Sequence, residues 1–445
     1  MAKKEKIDTL VTVEEQPYPV PENWRWVRIG SSVGLHRGVS YKKEDAHTTK
    51  QINDCLIMRG GNIGEGYIDI DADNVYVDMS LVDTDQLVRE NDIIIVASTG
   101  STKVIGRAGI SRQNYKDVAF GAFLLLVRPS GKVNGRYISY FFQSDLYRNR
   151  IRDLASGVNI NNIRSDYILN TPCPLPPFSE QGRIVVQIES LFAKLDEAKE
   201  KAQAVVDGFE DRKAAILHKA FTGELTAKWR EKNGIRLEDW KTCCVGEIGE
   251  VVTGSTPDTK CSGYYNGLIP FIKPTELNQG RHVREATSTL TEKGKDVSRL
   301  VRAGSTCVCC IGATISKCGF LEVDAVTNQQ INTIVPYDSM NDLFVYYYCS
   351  SKQFVETLIE NSSATTLPII NKSKMSVIRI PVPTKAEQCY IVSVLERILE
   401  NEIKQKSVSK SIVDMIDSMK KSILAKAFRG ELGTNDPSEL PVDIC

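Results

Sequence analysis

Residues 179–225, SEQGRIVVQIESLFAKLDEAKEKAQAVVDGFEDRKAAILHKAFTGEL, are written into this chain twice. Glu180-Gln181 returns as Glu387-Gln388, Ile184-Val185 as Ile391-Val392, Glu189 as Glu396 and Ile216-Leu217 as Ile423-Leu424. Lys219-Ala220-Phe221 and Gly223-Glu224-Leu225 return as Lys426-Ala427-Phe428 and Gly430-Glu431-Leu432. The offset is constant, 387 − 180 = 207 and 432 − 225 = 207, so neither copy carries an insertion. In the first copy apolar residues fall at Ile184, Ile188, Leu191, Leu195, Ala198, Ala202, Val205, Phe209, Ile216 and Ala220. Steps of four and three, with one of seven, are a heptad seam, the pattern of a long helix with a helical partner.

The two copies are punctuated alike. Pro174 and Pro176 precede the first as Pro381 and Pro383 precede the second, Ser179 stands as an N-cap, and Gly223 and Gly430 end the periodic run. Each helix is expected to run about 44 residues, or about 65 Å. Glu402, Gln405 and Ser409 weaken the seam in the middle of the second copy. Two matched helices joined by a long globular segment pack most economically on each other, antiparallel.

Working outward, the duplication continues. Trp24 through Gly30 matches Trp240 through Gly246, and Arg59, after an apolar run, has a counterpart in Lys273. Leu87-Val88-Arg89 precedes an apolar strand at 93–97 and a loop at 98–103, as Leu300-Val301-Arg302 precedes 306–311 and 312–317. Each half has a second strand, 123–127 or 331–335, an aromatic-rich helical stretch, 137–154 or 343–359, and a polar turn region, 156–162 or 362–366. The expected fold is mixed α/β: two globular domains of about 150 residues each, separated by two long antiparallel coiled-coil helices in an internal pseudo-two-fold repeat. The boundaries are a disordered tail at 1–16, a domain at 17–177, a long helix at 178–233, a domain at 234–383, a long helix at 384–433 and a tail at 434–445.

Composition bounds the function. Of 445 residues 42% are hydrophobic and 25% charged, which supplies ordinary cores, and 56 basic residues balance 56 acidic ones. Net charge therefore does not argue for nucleic acid, which would need basic residues gathered on one face. The longest apolar runs, 93–97 and 122–127, are far too short to span a bilayer. The first ten residues carry lysines without an apolar core, so no secretory signal is expected and the cytoplasm is the default compartment. Among twelve cysteines, Cys307 and Cys310 have C-x-x-C spacing with Cys318 nearby, but no second pair follows at zinc-finger distance. Small buried thiols are expected there, and no metal site.

Catalytic constellations are missing. There is no G-x-x-x-x-G-K-[ST], and the glycines at 61, 64 and 66 lack G-x-G-x-x-G spacing. Neither N-P-P-Y nor D-P-P-Y occurs for an amino-methyltransferase, and the nearest E-x-K after Pro257-Asp258 is Glu402 to Lys404, on the second helix. His36, His47, His218 and His282 have surface-like neighbours. No active site is expected, and a coiled-coil spacer holding two protein-binding domains is one non-catalytic reading.

Pro-x-Pro, Glu-Gln, a long heptad helix and Lys-Ala-Phe-x-Gly-Glu-Leu, twice around two divergent halves, resemble the specificity subunit of a type I restriction-modification system, from about Pro21 to Leu432. Thr226-Ala227-Lys228-Trp229-Arg230 extends the resemblance. So do Arg37 through Lys43 and Leu146-Tyr147-Arg148-Asn149 in the first half, and Tyr264 through Gly267 with Phe271 through Pro274 in the second. The resemblance implies a non-catalytic subunit whose two target-recognition domains read the halves of a bipartite double-stranded DNA site. The paired helices would set the spacer and dock two modification subunits, which methylate adenine with S-adenosylmethionine. Restriction subunits using ATP and magnesium would join that core, and none of those cofactors is expected to bind this chain. Helices of about 65 Å bound the separation of half-sites at about 20 base pairs, with about 34 Å, one DNA turn, the expected spacing.

Candidate DNA contacts follow from residue type and place. Arg37, Tyr41, Lys42 and Lys43 form a basic cluster with an interleaved tyrosine, either holding phosphate or lying on a solvated loop. Arg59 with Asn62, and Lys273 with Thr275, follow matched strands; a buried salt bridge is the alternative for Arg59 and Lys273. The loops carrying Ser98, Thr99, Ser101 and Lys103, and Thr314 and Lys317, are of the small, polar kind that lets backbone approach phosphate, though glycine turns need no ligand. Asn159, Asn161, Asn162, Asn328, Gln329 and Gln330 have the amide geometry that pairs with adenine in the major groove, and asparagines are also ordinary turn formers. Arg148, Arg150 and Arg152 read as a solvated helix face. Glu180, Gln181, Phe221, Glu224, Glu387, Gln388, Phe428 and Glu431 recur in both copies, either as caps and packing or as docking residues for the modification subunits.

Overall fold

The computed structural model describes residues 9–155, 162–363 and 368–443. The chain divides into two compact units, 1–202 with 411–445, and 203–410, so each unit takes part of both long helices.

The first unit is organised by the strand Ile93–Val96, whose four aliphatic side chains are all buried. Successive strand residues face opposite sides. Ile93 and Ile95 accordingly enter a core shared with helices, and Ile94 and Val96 a core shared with a second sheet. The antiparallel sheet runs in the order Val33–Arg37, Leu124–Pro129, Ile93–Val96, Ala108–Ile110. The second sheet orders Tyr76–Asp78, Asp54–Met58 and Val118–Phe120, the last pair parallel. Asn134 caps the helix Gly135–Gln143, its side chain accepting from the Arg136 and Tyr137 amides, and buries an aromatic face on the helical side of the first sheet.

The second unit repeats this plan: Gly249–Thr253, Ile331–Pro336, Thr306–Cys309, Cys318–Phe320 in one sheet, and Thr289–Leu290, Tyr265–Ile272, Ala325–Thr327, Leu300–Val301 in the other. Here the central strand carries cysteines where the first unit has isoleucines. Cys307 and Cys310 fall in different cores, on opposite sides of the sheet, which separates the C-x-x-C pair. Burial pushes both thiols up to about 12, so they behave as small apolar residues. Among the described residues no group of three His, Cys, Asp or Glu side chains is gathered to hold a metal ion.

The first long helix is Phe178–Asp207 and Phe209–Phe221, and the Gly208 amide donates to the Ala204 carbonyl (3.0 Å) while Gly208 accepts from Arg212 (3.1 Å), so the ladder passes through the glycine. The second, Lys385–Phe428, is unbroken over 44 residues. Within the first unit Asp196 pairs with Lys420 (2.5 Å) and Lys199 with Asp417 (3.2 Å); within the second, Arg212 pairs with Glu402 (2.8 Å) and Glu210 with Lys406 (3.6 Å). Numbers rise along one helix as they fall along the other, so the pairing is antiparallel in each unit. Glu402, a gap in the seam by sequence, is the acceptor for Arg212. Ala198 is exposed, off the seam it was expected to join.

The Glu-Gln repeat is a packing device. Glu180, Gln181, Glu387 and Gln388 are buried to within 1%. The Gln181 carbonyl accepts from the Asn134 amide (2.8 Å) and its amide donates to the Pro176 carbonyl (3.0 Å); Gln388 does the same with Asn341 (2.8 Å) and Pro383 (2.9 Å). Glu180 accepts from the Trp24 indole (2.9 Å), and Glu387 from Trp240 (2.9 Å) and Arg230 (2.9 Å). Phe221 and Phe428 are core residues. These six side chains, expected as docking candidates, present nothing to a partner because their polar atoms and rings are spent inside the chain. Glu224 and Glu431 are exposed.

Residues 434–439, expected as part of a tail, close over the first unit. Thr434 (3.3 Å) and Asn435 (3.0 Å) donate to Glu180, and Glu439 accepts from both Arg183 guanidinium nitrogens (2.9 and 2.8 Å) and from Ser179 (2.7 Å). The hydrogen bonds from Arg183 and then Ser179 hold the Glu439 carboxyl down to about 2. A depressed carboxyl stabilises the closed form fully above its ordinary value of 4.5 and loses that contribution as pH falls toward 2. Protection of residues 434–443 against hydrogen exchange, taken relative to the intrinsic rates at each pH, should therefore fall across that acid window in the native chain, and Glu439→Gln should lower it already at neutral pH.

Candidate nucleic-acid interface

The strands of each unit end together. In the first, Val33–Arg37, Asp54–Met58, Ile93–Val96 and Val118–Phe120 all finish beside the turn that starts Leu124–Pro129. Gly121 donates to the Met58 carbonyl (2.9 Å), Leu124 to Gly121 (2.9 Å), Val39 to Phe120 (2.7 Å), Ala97 to Phe123 (3.0 Å) and Ile163 to Ala97 (2.8 Å). In the second unit Asn328 donates to Ile272 (3.0 Å), Ile331 to Asn328 (3.1 Å), Ser255 to Thr327 (2.8 Å), Cys310 to Gln330 (2.7 Å) and Ile370 to Cys310 (3.0 Å). These five bonds correspond one to one between the units. A Cβ on Gly38 would lie 2.2 Å from the Gly121 carbonyl oxygen, and one on Gly254 would lie 2.1 Å from that of Asn328, so both crossings require glycine.

This edge gathers many expected contact residues. Arg37 ends its strand exposed, with its carbonyl accepting from Gln86 (3.2 Å). Lys42 and Lys43 are exposed on the following turn, where the Lys42 ammonium lies 3.4 Å from Glu44. Ser98 pairs by backbone with Asn162, and Thr99 turns back to accept from the Ser101 amide (3.3 Å). Lys103 is exposed while its carbonyl and that of Ile105 accept from Arg148 (3.0 and 2.8 Å). Arg148 is thus buried and anchors the loop, where a solvated face was expected. In the second unit Gly312 donates to Pro368 (3.0 Å), and Thr314 lies 3.3 Å from the Cys309 sulfur. Lys317 is half-buried beside them, and Gln329 is exposed with its carbonyl accepting from Thr256.

Other candidates are spent elsewhere. Asn62 is fully buried, accepting from the Arg59 amide (2.7 Å) and donating to the Asp69 (2.9 Å) and Ala72 carbonyls, so it cannot reach DNA. Glu276 plays the same part for Lys273, accepting from its amide (3.0 Å) and from the Thr275 hydroxyl (3.0 Å). Arg59 is ion-paired with Asp73, but the pair is exposed and is not the buried salt bridge expected as the alternative, and the Lys273 ammonium donates to Ser288 (2.9 Å). The Tyr41 ring packs on a small core with Val39 and Ile57. Asn328 is buried and donates to the Gln330 carbonyl (3.0 Å), leaving Gln329 as the outward amide. Asn159 and Asn161 lie outside the described residues. His47, expected as a surface residue, bonds the buried Asp54 at 2.6 Å.

Sequence reasoning missed Phe123. It counted as the first residue of a buried strand, but the strand begins at Leu124 and Phe123 is 70% exposed. The signal available was its place in the repeat, one residue before Leu124, where the second unit has Gln330 before Ile331.

Among the described residues no helix is long and apolar enough to cross a membrane. The family model described as "Type I restriction modification DNA specificity domain" matches residues 21–206 and 237–410. The type I restriction enzyme StySPI specificity subunit of Salmonella potsdam is 27% identical over 433 residues, covering 95% of this chain and 92% of that one. The EcoKI specificity subunit of Escherichia coli K12 is 27% identical over 440 residues with the same coverage, 95% and 92%. The crystal structure of an HsdS subunit from Thermoanaerobacter tengcongensis shares the fold at a TM-score of 0.65 with 19% identity, over 94% of this chain and 100% of that one. A chain from a structural study of complex assembly and conformational transition in the type I R-M system does so at 0.71 with 18% identity, over 93% and 100%. A repeated strand-end frame and a family model that matches both repeats agree, and the chain belongs to the type I restriction modification DNA specificity domain family.

Proposed function

We propose that the chain is the DNA-reading subunit of a type I restriction-modification complex, each unit reading one half of a bipartite double-stranded site. The observation that carries this is the strand-end edge, built twice on one backbone frame and dressed with different side chains. Two readers of different base sequences need that combination: a common frame sets the approach to the duplex, and the side chains on it choose the bases. Arg37, Lys42, Lys43 and Lys103 supply exposed positive charge to phosphates in the first unit, in a chain with no net charge overall. Catalysis belongs to the other subunits. Modification subunits would bring S-adenosylmethionine and restriction subunits ATP and magnesium, in the cytoplasm where the DNA lies. The long helices would set the spacer and offer Glu224 and Glu431 for docking.

The test is adenine methylation across the genome in cells carrying this chain with its modification subunit, against cells lacking only this chain. Loss of one bipartite methylated motif is the expected result, together with DNA binding by the complex that falls steeply with salt. An unchanged methylation pattern and no DNA binding would favour a protein scaffold. Reversing charge at Glu224 and Glu431 together should weaken co-purification of the modification subunit while changing the unfolding free energy by no more than surface substitutions do, about 0.5 kcal/mol.

A further inference from the structure

Resting on that reading, we propose that the turns 121–123 and 328–330 are the base-reading segments of the two units, and that Phe123 is a specificity-determining residue that recognises the 5-methyl group of a thymine. The turns are equivalent by position, 328 − 121 = 207 and 330 − 123 = 207, and by three backbone hydrogen bonds that hold each of them: Gly121 or Asn328 to the preceding strand, Leu124 or Ile331 back to the turn, and Ala97 or Cys310 to the turn's last carbonyl. Their side chains have opposite chemistry. Gly121-Ala122-Phe123 is apolar, with Ala122 and Phe123 exposed; Asn328-Gln329-Gln330 is all amide, with Gln329 exposed.

Phe123 is placed to read and not to fold. Its carbonyl accepts from both the Ala97 and Ser98 amides (3.0 and 3.0 Å), which fixes its backbone between two strand ends. Its ring belongs to none of the cores of the unit and stands 70% exposed on the edge that also carries Arg37, Ser98 and Asn162. A fixed backbone loses little freedom on binding, so apolar contact made by this ring goes largely into affinity. In an intact duplex the apolar group offered at the floor of the major groove is the thymine methyl, which phenylalanine contacts in direct readout. A wedge between bases would need unstacking of the duplex. Gln329, in the same frame, carries an exposed amide of the kind suited to adenine, its carbonyl exchanging the Thr256 hydroxyl for the base.

The experiment uses the assembled complex with its modification subunits and a duplex bearing the bipartite motif found by methylation, with each thymine replaced in turn by deoxyuridine. Native complex should lose about fourfold in affinity at one thymine of one half-site, the worth of one buried methyl group. Phe123→Ala should bind about tenfold more weakly and show no further loss at that thymine, and Phe123→Leu should restore part of both. Gln329→Ala should change discrimination only in the other half-site. If native complex has a bipartite motif but no thymine responds to deoxyuridine, or if Phe123→Ala keeps the response, the proposal is overturned while the DNA-reading function stands. If the native complex has no bipartite motif, both fall.

Discussion

Glu387→Ala should destabilise the second unit by about 3–5 kcal/mol, because it strips the counter-charge from a buried arginine. Glu387 is fully buried and accepts from Arg230 (2.9 Å), Thr226 (2.7 Å) and Trp240 (2.9 Å); Arg230 and Thr226 are themselves buried, and the guanidinium stacks over the Trp240 ring at 5.6 Å. Trp240 is half-buried and its indole can rehydrate, but the buried Arg230 and Thr226 are cut off from water once the carboxylate is gone. Glu180 is the equivalent residue, but its donors are all neutral: Trp24, Thr434 and Asn435. Thr434 and Asn435 are half-buried at the surface and can rehydrate, so Glu180→Ala leaves chiefly the Trp24 indole unpaired, at about 1–3 kcal/mol. Urea titration followed by hydrogen exchange in each unit measures the two separately. Glu387→Gln, which keeps the shape and removes the charge, should retain most of the loss, and a double change to apolar residues at 230 and 387 should recover much of it. Equal losses at 180 and 387 would show that burial alone, and not the charge of Arg230, sets the cost.

What the sequence made legible was the part of the repeat without insertions. From Phe120 onward the units stay at an offset of 207, and the long helices, their partner and their stop signals all followed from it. Before that point the offset drifts: 254 − 38 = 216, 273 − 59 = 214, 310 − 97 = 213. Each change falls in a loop, where length is cheap, and it hid the five matching hydrogen bonds of the two strand-end frames. Apolar strands were visible, whereas the direction of single side chains was not. Asn62 and Arg148 look like surface residues by type, and both are buried because backbone carbonyls of irregular loops needed donors inside. Phe123 failed in the other direction, since one residue of strand boundary decides whether an aromatic ring is core or edge. The Glu-Gln pair was recognised as repeated, but a helix start offers both capping and docking, and only the burial of the carboxylates separates them.

The same logic gives the second large effect, which crosses the order of the sequence. Phe428, at the end of the second helix, is 1% exposed, with its ring 5.2 Å from that of Tyr137 and 5.7 Å from that of Phe141, in the first unit. Phe221, at the end of the first helix, lies 5.4 Å from Phe344 and 5.1 Å from Tyr348, in the second. Truncating a buried phenylalanine removes its transfer free energy and leaves a cavity, together about 3–5 kcal/mol. Phe428→Ala should therefore raise hydrogen exchange in the helix Gly135–Gln143 and leave the helix Asp342–Cys349 unchanged. Phe221→Ala should do the reverse, although Phe221 follows the first globular half in the chain. Loss of complex assembly after either change would then track the unfolding of one unit. If Phe428→Ala abolished assembly with both helices exchanging as in the native chain, the ring would be a docking residue after all, and the packing assignment of the repeated Lys-Ala-Phe would fall.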